Sequence, residues 1–212
     1  MIARRTISVV AAVSLAWAIA SLGCKGTDRA SRADEARLLA ACDSLTQAFM
    51  ATLKGELTLA LEEGGPAHAV QVCKVTAPQL AADHSRTPGW SIRRVSAGNR
   101  NPANAPDTYE ATVLARMAAV DGPPVIYEWQ TQSNSESTFV YFKAIRTAEL
   151  CLSCHGPREE LSPDLLAVLA EEYPDDRATG FQPGDLRGAF VVKVEFPKAE
   201  AGLRAATVGG AP

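Results

Sequence analysis

A short stretch with two cysteines and a histidine, near the C-terminal end, constrains the fold of this chain more than any other feature. Cys151, Cys154 and His155 form the pattern C-x-x-C-H. Two thiols three residues apart lie on one side of a helical turn, so both can form thioethers with the two vinyl groups of a haem, and the imidazole that follows can bind the iron. The motif therefore predicts a helical turn that carries one covalently attached haem c, with His155 as an axial ligand.

Two other interpretations of this motif need no haem. Cys151 and Cys154 can form a disulfide, or they can supply half of a zinc site. A zinc site needs two further ligands, and the sequence contains no second C-x-x-C pair. The pattern therefore favours the haem.

The second axial position of the iron has several candidate ligands. They are Met50, Met117, His68, His84, Cys42 and Cys73. The two methionines lie among apolar residues at helical spacing, which is typical of core residues, and the two histidines are typical of surface or capping positions. Cys42 lies on the apolar face of a predicted helix, so we expect it in the core. The residue pattern by itself leaves the choice of ligand open.

The N-terminal segment has the layout of an export signal. Arg4 and Arg5 precede an uncharged run that, as a helix, spans about 24 Å and falls short of the roughly 30 Å core of a bilayer. Ala20-Ser21-Leu22-Gly23-Cys24 resembles the lipobox of bacterial lipoproteins, although Leu22 lies two residues before the cysteine instead of three. We expect residues 1–23 to be a lipoprotein-type signal peptide and Cys24 to be lipidated. Plain cleavage and an uncleaved anchor are the alternatives.

Each of these alternatives places the domain on the periplasmic side of a bacterial membrane, where thiols can be oxidised. Residues 24–33 are mostly polar and small, and we expect a tether there. Residues 34–200 are then predicted to form the haem domain, and 201–212 a C-terminal tail.

The composition excludes several classes of protein. With 47% apolar residues and a formal net charge of −3, most of the chain is not disordered, and a basic nucleic-acid-binding protein is not expected. One long apolar run, at the N-terminus, excludes a polytopic membrane protein. The length of 212 residues suits about one domain.

Apolar spacing predicts helices first and a sheet later. The first two helices are expected over Asp34–Leu61 and Ala67–Ala82, separated by Gly64-Gly65-Pro66. The second is expected to face inward with Val70, Cys73, Leu80 and either Val75 or Ala77. Strands are predicted over Trp90–Ser96, Val125–Gln132, Thr138–Ile145 and Arg187–Phe196. Helices are predicted over Asp107–Met117 and Leu161–Glu172, the latter with Ser162 as N-cap and Pro163 at its first position. Helices followed by an antiparallel hairpin and a last strand indicate an α+β domain.

Several segments together resemble one bacterial family over about Ala36 to Phe196. They are Val72-Cys73-Lys74, Ala77-Pro78, Arg93-Arg94-Val95-Ser96, Arg100-Asn101-Pro102, Asn104, Pro106, Glu110, Cys151-Leu152-Ser153-Cys154-His155-Gly156, Tyr173-Pro174 to Gly180, and Gly184-Asp185-Leu186-Arg187-Gly188-Ala189. The family is that of c-type haem proteins with a PAS-like domain, which occur as free periplasmic cytochromes and as sensory domains of histidine kinases. The resemblance implies a small antiparallel sheet flanked by helices, with a long N-terminal helix.

The resemblance also implies a ligand set for the iron. His155 is one axial ligand, and Cys73, which matches the family's cysteine position, is the other. A buried Cys73 without a ligand role, and a Cys42–Cys73 disulfide, are the alternatives. Arg93, Arg94 and Arg100 are candidates to neutralise the haem propionates, since guanidinium matches carboxylate geometry; the alternative is a solvated strand face or turn.

The expected function is that of a periplasmic, lipid-anchored mono-haem protein that senses redox state or a diatomic gas. The alternative is an electron-transfer cytochrome that serves a membrane complex. Signalling requires a separate, unidentified partner protein, because no kinase or DNA-binding segment is recognisable in the sequence. An enzyme such as a peroxidase is not expected, because it requires an open iron site and a nearby acid–base group, and the sequence identifies neither.

Overall fold

The computed structural model describes the backbone of residues 17–119, 122–131 and 137–196, with the side chains of residues 34–119, 122–130 and 137–196. Most of the predicted signal peptide, the predicted C-terminal tail and the side chain of Cys24 lie outside the described residues. The chain divides into two compact units, Met1–Ala41 and Cys42–Pro212. Among the helices of the described part, none is both long and apolar enough to cross a membrane.

Helix α1 extends over Trp17–His84 and therefore includes residues 24–33, for which a tether was predicted. The break predicted at the two glycines is confirmed, because Gly64 (φ −153°, ψ 15°) and Gly65 (φ 69°, ψ −168°) leave the helical conformation. Gly65 has a positive φ that residues with a Cβ rarely adopt, and Pro66 follows where a proline is tolerated at the start of a helical segment.

Burial along α1 corrects one prediction and resolves another. Phe49 is buried, but its neighbour Met50 is 38% exposed, so the prediction that Met50 lies in the core is wrong. One residue along a helix rotates the side chain by about 100°, which turns Met50 away from the face that Phe49 occupies. In the segment after the break, Ala77 is buried and Val75 is 58% exposed, so Ala77 is the inward residue.

The strands form one antiparallel sheet. They are β1 (Trp90–Val95), β2 (Val125–Thr131), β3 (Ser137–Arg146) and β4 (Leu186–Phe196), in the order β1-β4-β3-β2. The predicted hairpin is confirmed as the pair β2–β3. The last strand lies between β1 and β3, where it pairs with both.

Three shorter helices follow α1. They are α2 (Thr108–Ala118), α3 (Glu149–His155) and α4 (Pro163–Glu172). Asp107 caps α2 through a capping box with Glu110, and the predicted N-cap Ser162 with Pro163 starts α4. Single 3₁₀ turns occur at Pro102–Asn104 and Arg158–Glu160.

Helices cover both faces of the sheet. On one face, α2 packs its apolar residues against the strands, and the fully buried Met117 confirms a core position for that methionine. On the other face, Phe49 of α1 contacts Phe190 of β4 edge to face, with ring centroids 5.5 Å apart. α4 packs Leu165 and Leu169 against Val70 of α1. The predicted α+β class, with a small antiparallel sheet between helices in a PAS-like arrangement, is confirmed.

Candidate functional site

The C-x-x-C-H motif forms the short helix α3, as its spacing predicts. The backbone N–H of Gly156 donates to the carbonyl of Leu152 at 2.9 Å and ends the helix. Cys154 is buried, while Cys151 and His155 are partly exposed. One helical turn therefore presents two thiols and an imidazole together.

His155 is held in one orientation by the backbone. Its Nδ1 lies 2.7 Å from the carbonyl oxygen of Ala178. Because a carbonyl can only accept, Nδ1 carries the proton, and Nε2 keeps a free lone pair. The pKa of His155 lies well below its usual value, chiefly through burial and then through the positive charges of Arg187 and Arg100. The imidazole is therefore neutral at neutral pH and can act as a ligand through Nε2.

The loop that supplies the Ala178 carbonyl is fastened to the end of α3. Phe181 donates its N–H to the carbonyl of His155 at 3.0 Å, and Gly180 donates to Gly156 at 2.8 Å. Asp176 accepts from the N–H of Ala178 at 3.0 Å. These bonds fix the position of the acceptor for Nδ1, which is the usual way to fix the tautomer of a metal-binding histidine.

Cys73 lies on the segment of α1 after the glycine break and shares its electrostatic surroundings with α3. Burial raises the pKa of its thiol, the positive charge of Arg94 lowers it, Cys154 raises it, and the positive charge of Arg100 lowers it. The net shift is upward. Lys74 contributes no such cation, because it pairs with Glu172 and lies 5.8 Å above the ring of Tyr173.

Cys42 and Cys73 do not form a disulfide in the structure. Cys42 is fully buried, and the pKa of its thiol is raised to about 12 by burial and by the neighbouring charge of Asp43. The core position predicted for Cys42 is therefore confirmed.

The three arginines predicted to neutralise propionates have different surroundings. Arg93 donates to the buried carboxylate of Glu110, which directs its guanidinium to the α2 side of the sheet. Arg100 donates to both carboxylate oxygens of Asp176 at 3.2 Å and to the carbonyl of Cys154 at 2.7 Å. The guanidinium of Arg94 makes no hydrogen bond to an acceptor within the described part of the chain, and burial lowers its pKa. Of the three, Arg94 and Arg100 lie near Cys73.

Arg187 belongs to the same group, although sequence reasoning did not single it out. The β3–β4 register shifts between Ile145 and Arg146, which pair with Gly188 and Leu186, so Arg187 is the extra residue of a bulge. Its guanidinium lies 5.0 Å over the ring of Phe181, whose ring contacts that of His155 edge to face. The only sequence signal was its place in the Gly184–Ala189 segment of the family resemblance.

The remaining candidate ligands lie elsewhere. His68 is 3.6 Å from the carboxylate of Glu63, and His84 contacts the ring of Phe49. Met117 is in the core beneath α2, and Met50 is exposed. Within the described residues no group of three or more His, Cys, Asp or Glu side chains is gathered in a way that could hold a metal ion.

Comparison with known proteins identifies the family of this chain. The model of the family described as Tll0287-like (Tll0287) matches residues 26–195. Among solved structures, the chain is similar to the crystal structure of the cyanobacterial heme-protein Tll0287, with 28% sequence identity and a TM-score of 0.51, over 60% of this chain and 73% of that chain. None of the curated proteins matches the sequence. With a family match that spans most of its length, the chain belongs to the Tll0287-like family, and the relationship predicted from its motifs is confirmed.

Proposed function

We propose that this chain is a mono-haem c-type protein of the periplasmic side of a bacterial membrane, anchored by a lipid on Cys24, which senses redox state or a diatomic gas. The haem is attached at Cys151 and Cys154, and His155 and Cys73 are its axial ligands. The single observation that carries the proposal is the bond from His155 Nδ1–H to the Ala178 carbonyl. It leaves Nε2 unprotonated on the same helical turn as the two thiols.

The side chains around this turn fit a haem. A haem carries two propionates. Arg94 offers a partly buried guanidinium without an acceptor among the described residues. Arg100 adds a second guanidinium, which Asp176 fixes in place. Arginine pairs with carboxylates through two parallel bonds, which suits Arg94 for a propionate, whereas Arg100, whose Nε and Nη2 bond Asp176, can offer Nη1.

The iron, when bound, supplies a one-electron couple and a site for gases. The protein contributes a neutral, oriented imidazole from His155 and a thiolate from Cys73. A thiolate donates charge and lowers the reduction potential relative to a methionine ligand. Cys73 lies on the helical segment after the break at Gly64 and Gly65, and its thiolate would hold the iron of the bound haem from that segment.

Electron transfer is the alternative function. Leu150, beside Cys151, is 43% exposed, so apolar surface adjoins the attachment turn. Such surface suits brief contact with a redox partner protein. Neither function requires a nucleic acid.

Absorption and EPR spectra test the ligand set. The wild type, Cys73→Ala and Cys42→Ala are compared in the oxidised and reduced states. We expect Cys73→Ala to lose the low-spin thiolate signature of the ferric form, while Cys42→Ala, a control at the other α1 cysteine, keeps it. An unchanged ferric spectrum in Cys73→Ala contradicts thiolate ligation. The absence of covalent haem from the wild type contradicts the proposal as a whole.

Gas binding separates the two functions. For a sensor, we expect the reduced wild type to bind carbon monoxide or nitric oxide quickly and reversibly. A haem that binds neither gas excludes gas sensing, and rapid electron exchange then favours a carrier.

A further inference from the structure

Three buried or partly buried guanidinium groups meet at this site with one carboxylate. Arg94 comes from β1, Arg100 from the loop after it and Arg187 from the bulge in β4. Burial lowers the pKa of Arg187, and the positive charges of Arg100 and Arg94 lower it further. Asp176, with its side chain 4% exposed, pairs with Arg100. Three cations and one anion leave a surplus of two positive charges. A surplus of this kind is unfavourable in a site shielded from water unless anions compensate it.

The contacts of Arg187 position its side chain but do not neutralise it. Its Nη1 donates to Ser96 Oγ and to the carbonyl of Gly98, both at 3.0 Å. Ser96 Oγ in turn donates to the carbonyl of Arg187 at 2.6 Å. These partners are all uncharged, and Nε of Arg187 is buried without a hydrogen-bond partner among the described residues.

The local backbone is built to place this residue. In the ladder with β3, Arg187 has no partner of its own. Gly188, at φ 154°, lies so close to the carbonyl of Val95 that a Cβ there would be 2.3 Å from the oxygen. A bulge that requires glycine beside it and leaves a polar donor unsatisfied is typical of a functional position.

We propose that Arg187 binds a carboxylate of the haem, and that it is a third propionate-binding residue beside Arg94 and Arg100. The inference rests on the proposed function. Two propionates carry two negative charges, which match the surplus of the arginine cluster. The free Nε of Arg187 shares one edge of the guanidinium with Nη2, and this edge suits a carboxylate, while Nη1 is fixed by Ser96 and Gly98. Through Phe181, the same guanidinium is linked by contact to the ring of His155.

The midpoint potential is the first test, measured on haem-loaded wild type, Arg187→Gln, Arg187→Lys and Arg177→Gln. Removing a positive charge beside the haem stabilises the ferric state. We expect Arg187→Gln to lower the ratio of reduced to oxidised protein at a fixed potential about tenfold, which is about 59 mV for one electron. Arg187→Lys is expected to have a midpoint potential close to that of the wild type, because it keeps the positive charge. Arg177→Gln, which removes an exposed arginine of the adjacent loop, matches the wild type. The propionate bending band in resonance Raman spectra shifts in Arg187→Gln alone.

Thermal unfolding with and without haem separates this role from a structural one. The haem-free form is the full chain with Cys151→Ala and Cys154→Ala. We expect Arg187→Gln to lower the melting temperature of the haem-loaded protein. The same change is expected to leave the haem-free form unchanged or more stable, because it removes an uncompensated buried charge. If Arg187 only held Ser96 and Gly98 together, both forms would be destabilised equally.

The outcomes distinguish a failure of the role proposed for Arg187 from a failure of the proposed function. Covalent haem with an unchanged potential and Raman spectrum in Arg187→Gln contradicts the role of Arg187 and leaves the proposed function intact. Equal destabilisation with and without haem contradicts it as well. A wild type without covalent haem contradicts the proposed function, and the role of Arg187 with it.

Discussion

The cysteines of α1 differ in chemistry because their surroundings differ. Cys42 is fully buried among core residues, and no cation opposes the rise of its pKa. Cys73 is only partly buried, and the charges of Arg94 and Arg100 oppose the effect of burial on its thiol. Both environments raise the pKa of the thiol, but at Cys73 two cations offset part of the effect of burial on the anion. The difference supports a core role for Cys42 and a ligand role for Cys73.

The raised pKa of Cys42 leads to a prediction about pH. Its thiol ionises near 9.0 in an unfolded chain and at about 12 in the folded protein. The contribution of the Cys42 thiol to the free energy of unfolding is therefore fully present below pH 9. It is lost as the pH rises from 9 towards 12. We expect the melting temperature of the wild type to fall more steeply above pH 9 than that of Cys42→Ala.

Alkylation of Cys42 provides a second measurement of the same effect. With iodoacetamide at pH 8, peptide mass spectrometry is expected to find Cys42 unmodified in the folded protein and modified in urea, since thiolates react and buried thiols do not. Rapid modification in the folded state, or identical pH profiles for the two proteins, contradicts the prediction.

From spacing alone, the residues of the site were predictable only where they are neighbours in sequence, and Cys73, Arg94 and Arg100 were proposed with the help of the family resemblance or of their charge. Cys151, Cys154 and His155 form a contiguous pattern whose chemistry follows from spacing. The Ala178 carbonyl and Arg187 come from distant segments, and only the packing of the loop on α3 and the bulge in β4 bring them to His155. A backbone acceptor leaves no trace in residue identity, because any residue carries the same carbonyl.

At the scale of elements, α2 depends on an unusual buried carboxylate. Glu110 is fully buried, accepts from the N–H of Asp107 at 2.9 Å, pairs with Arg93 and lies 3.6 Å from Lys193 Nζ. It therefore closes the capping box of α2 and ties that helix to two strands. The carboxylate of Glu110 compensates the positive charges of Arg93 and Lys193. Removing this carboxylate therefore leaves two cations without their partner.

We predict that Glu110→Ala destabilises the protein by about 3 kcal/mol, near the lower end for a broken buried pair because both cations are partly exposed. Urea unfolding followed by circular dichroism measures the change. Thr112→Ala on the exposed face of the same helix is the control and is expected to change stability by less than about 0.5 kcal/mol. Equal effects of the two substitutions would show that Glu110 has no special role.

Elements with a strong local pattern were predicted, and their arrangement was not. The break at Gly64 and Gly65, the hairpin and the cap at Ser162 follow from spacing and turn residues. The insertion of β4 between β1 and β3 depends on pairing between strands far apart in sequence, which no local pattern specifies. The prediction that Met50 lies in the core was wrong because the buried face of α1 is narrower than the distribution of apolar residues along the helix suggests.

At the scale of the whole molecule, one fold combines a core on each face of the sheet with a charged site at α3. The apolar cluster under α2 includes residues of β1 and β4, the strands that carry Arg94 and Arg187, and His155 is held by its bond to the Ala178 carbonyl. Because those residues are on separate elements, the geometry of the site depends on the packing of the complete domain. A haem attached at α3 is therefore expected to stabilise the fold as any ligand of the native state does.

We predict that the location of the molecule in the cell depends on Cys24. A covalent acyl chain contributes about 0.8 kcal/mol of membrane affinity per buried CH₂, so a lipid on this residue is expected to retain the protein at a membrane. We predict that the wild type, expressed in a bacterium that processes lipoproteins, sediments with membranes and is released by detergent. Cys24→Ser is expected in the soluble periplasmic fraction, and Cys42→Ala, as control, remains with the membranes.

Fractionation and the mass of the N-terminal peptide distinguish the alternatives. A lipid adds its mass to Cys24 and removes residues 1–23. Plain cleavage leaves both proteins soluble, and an uncleaved anchor leaves both in the membrane with residues 1–23 present; either result contradicts lipidation. The haem site is built within Cys42–Pro212, so we expect Cys24→Ser to keep the wild-type absorption spectrum. Loss of that spectrum would instead indicate that export and haem attachment both depend on this cysteine.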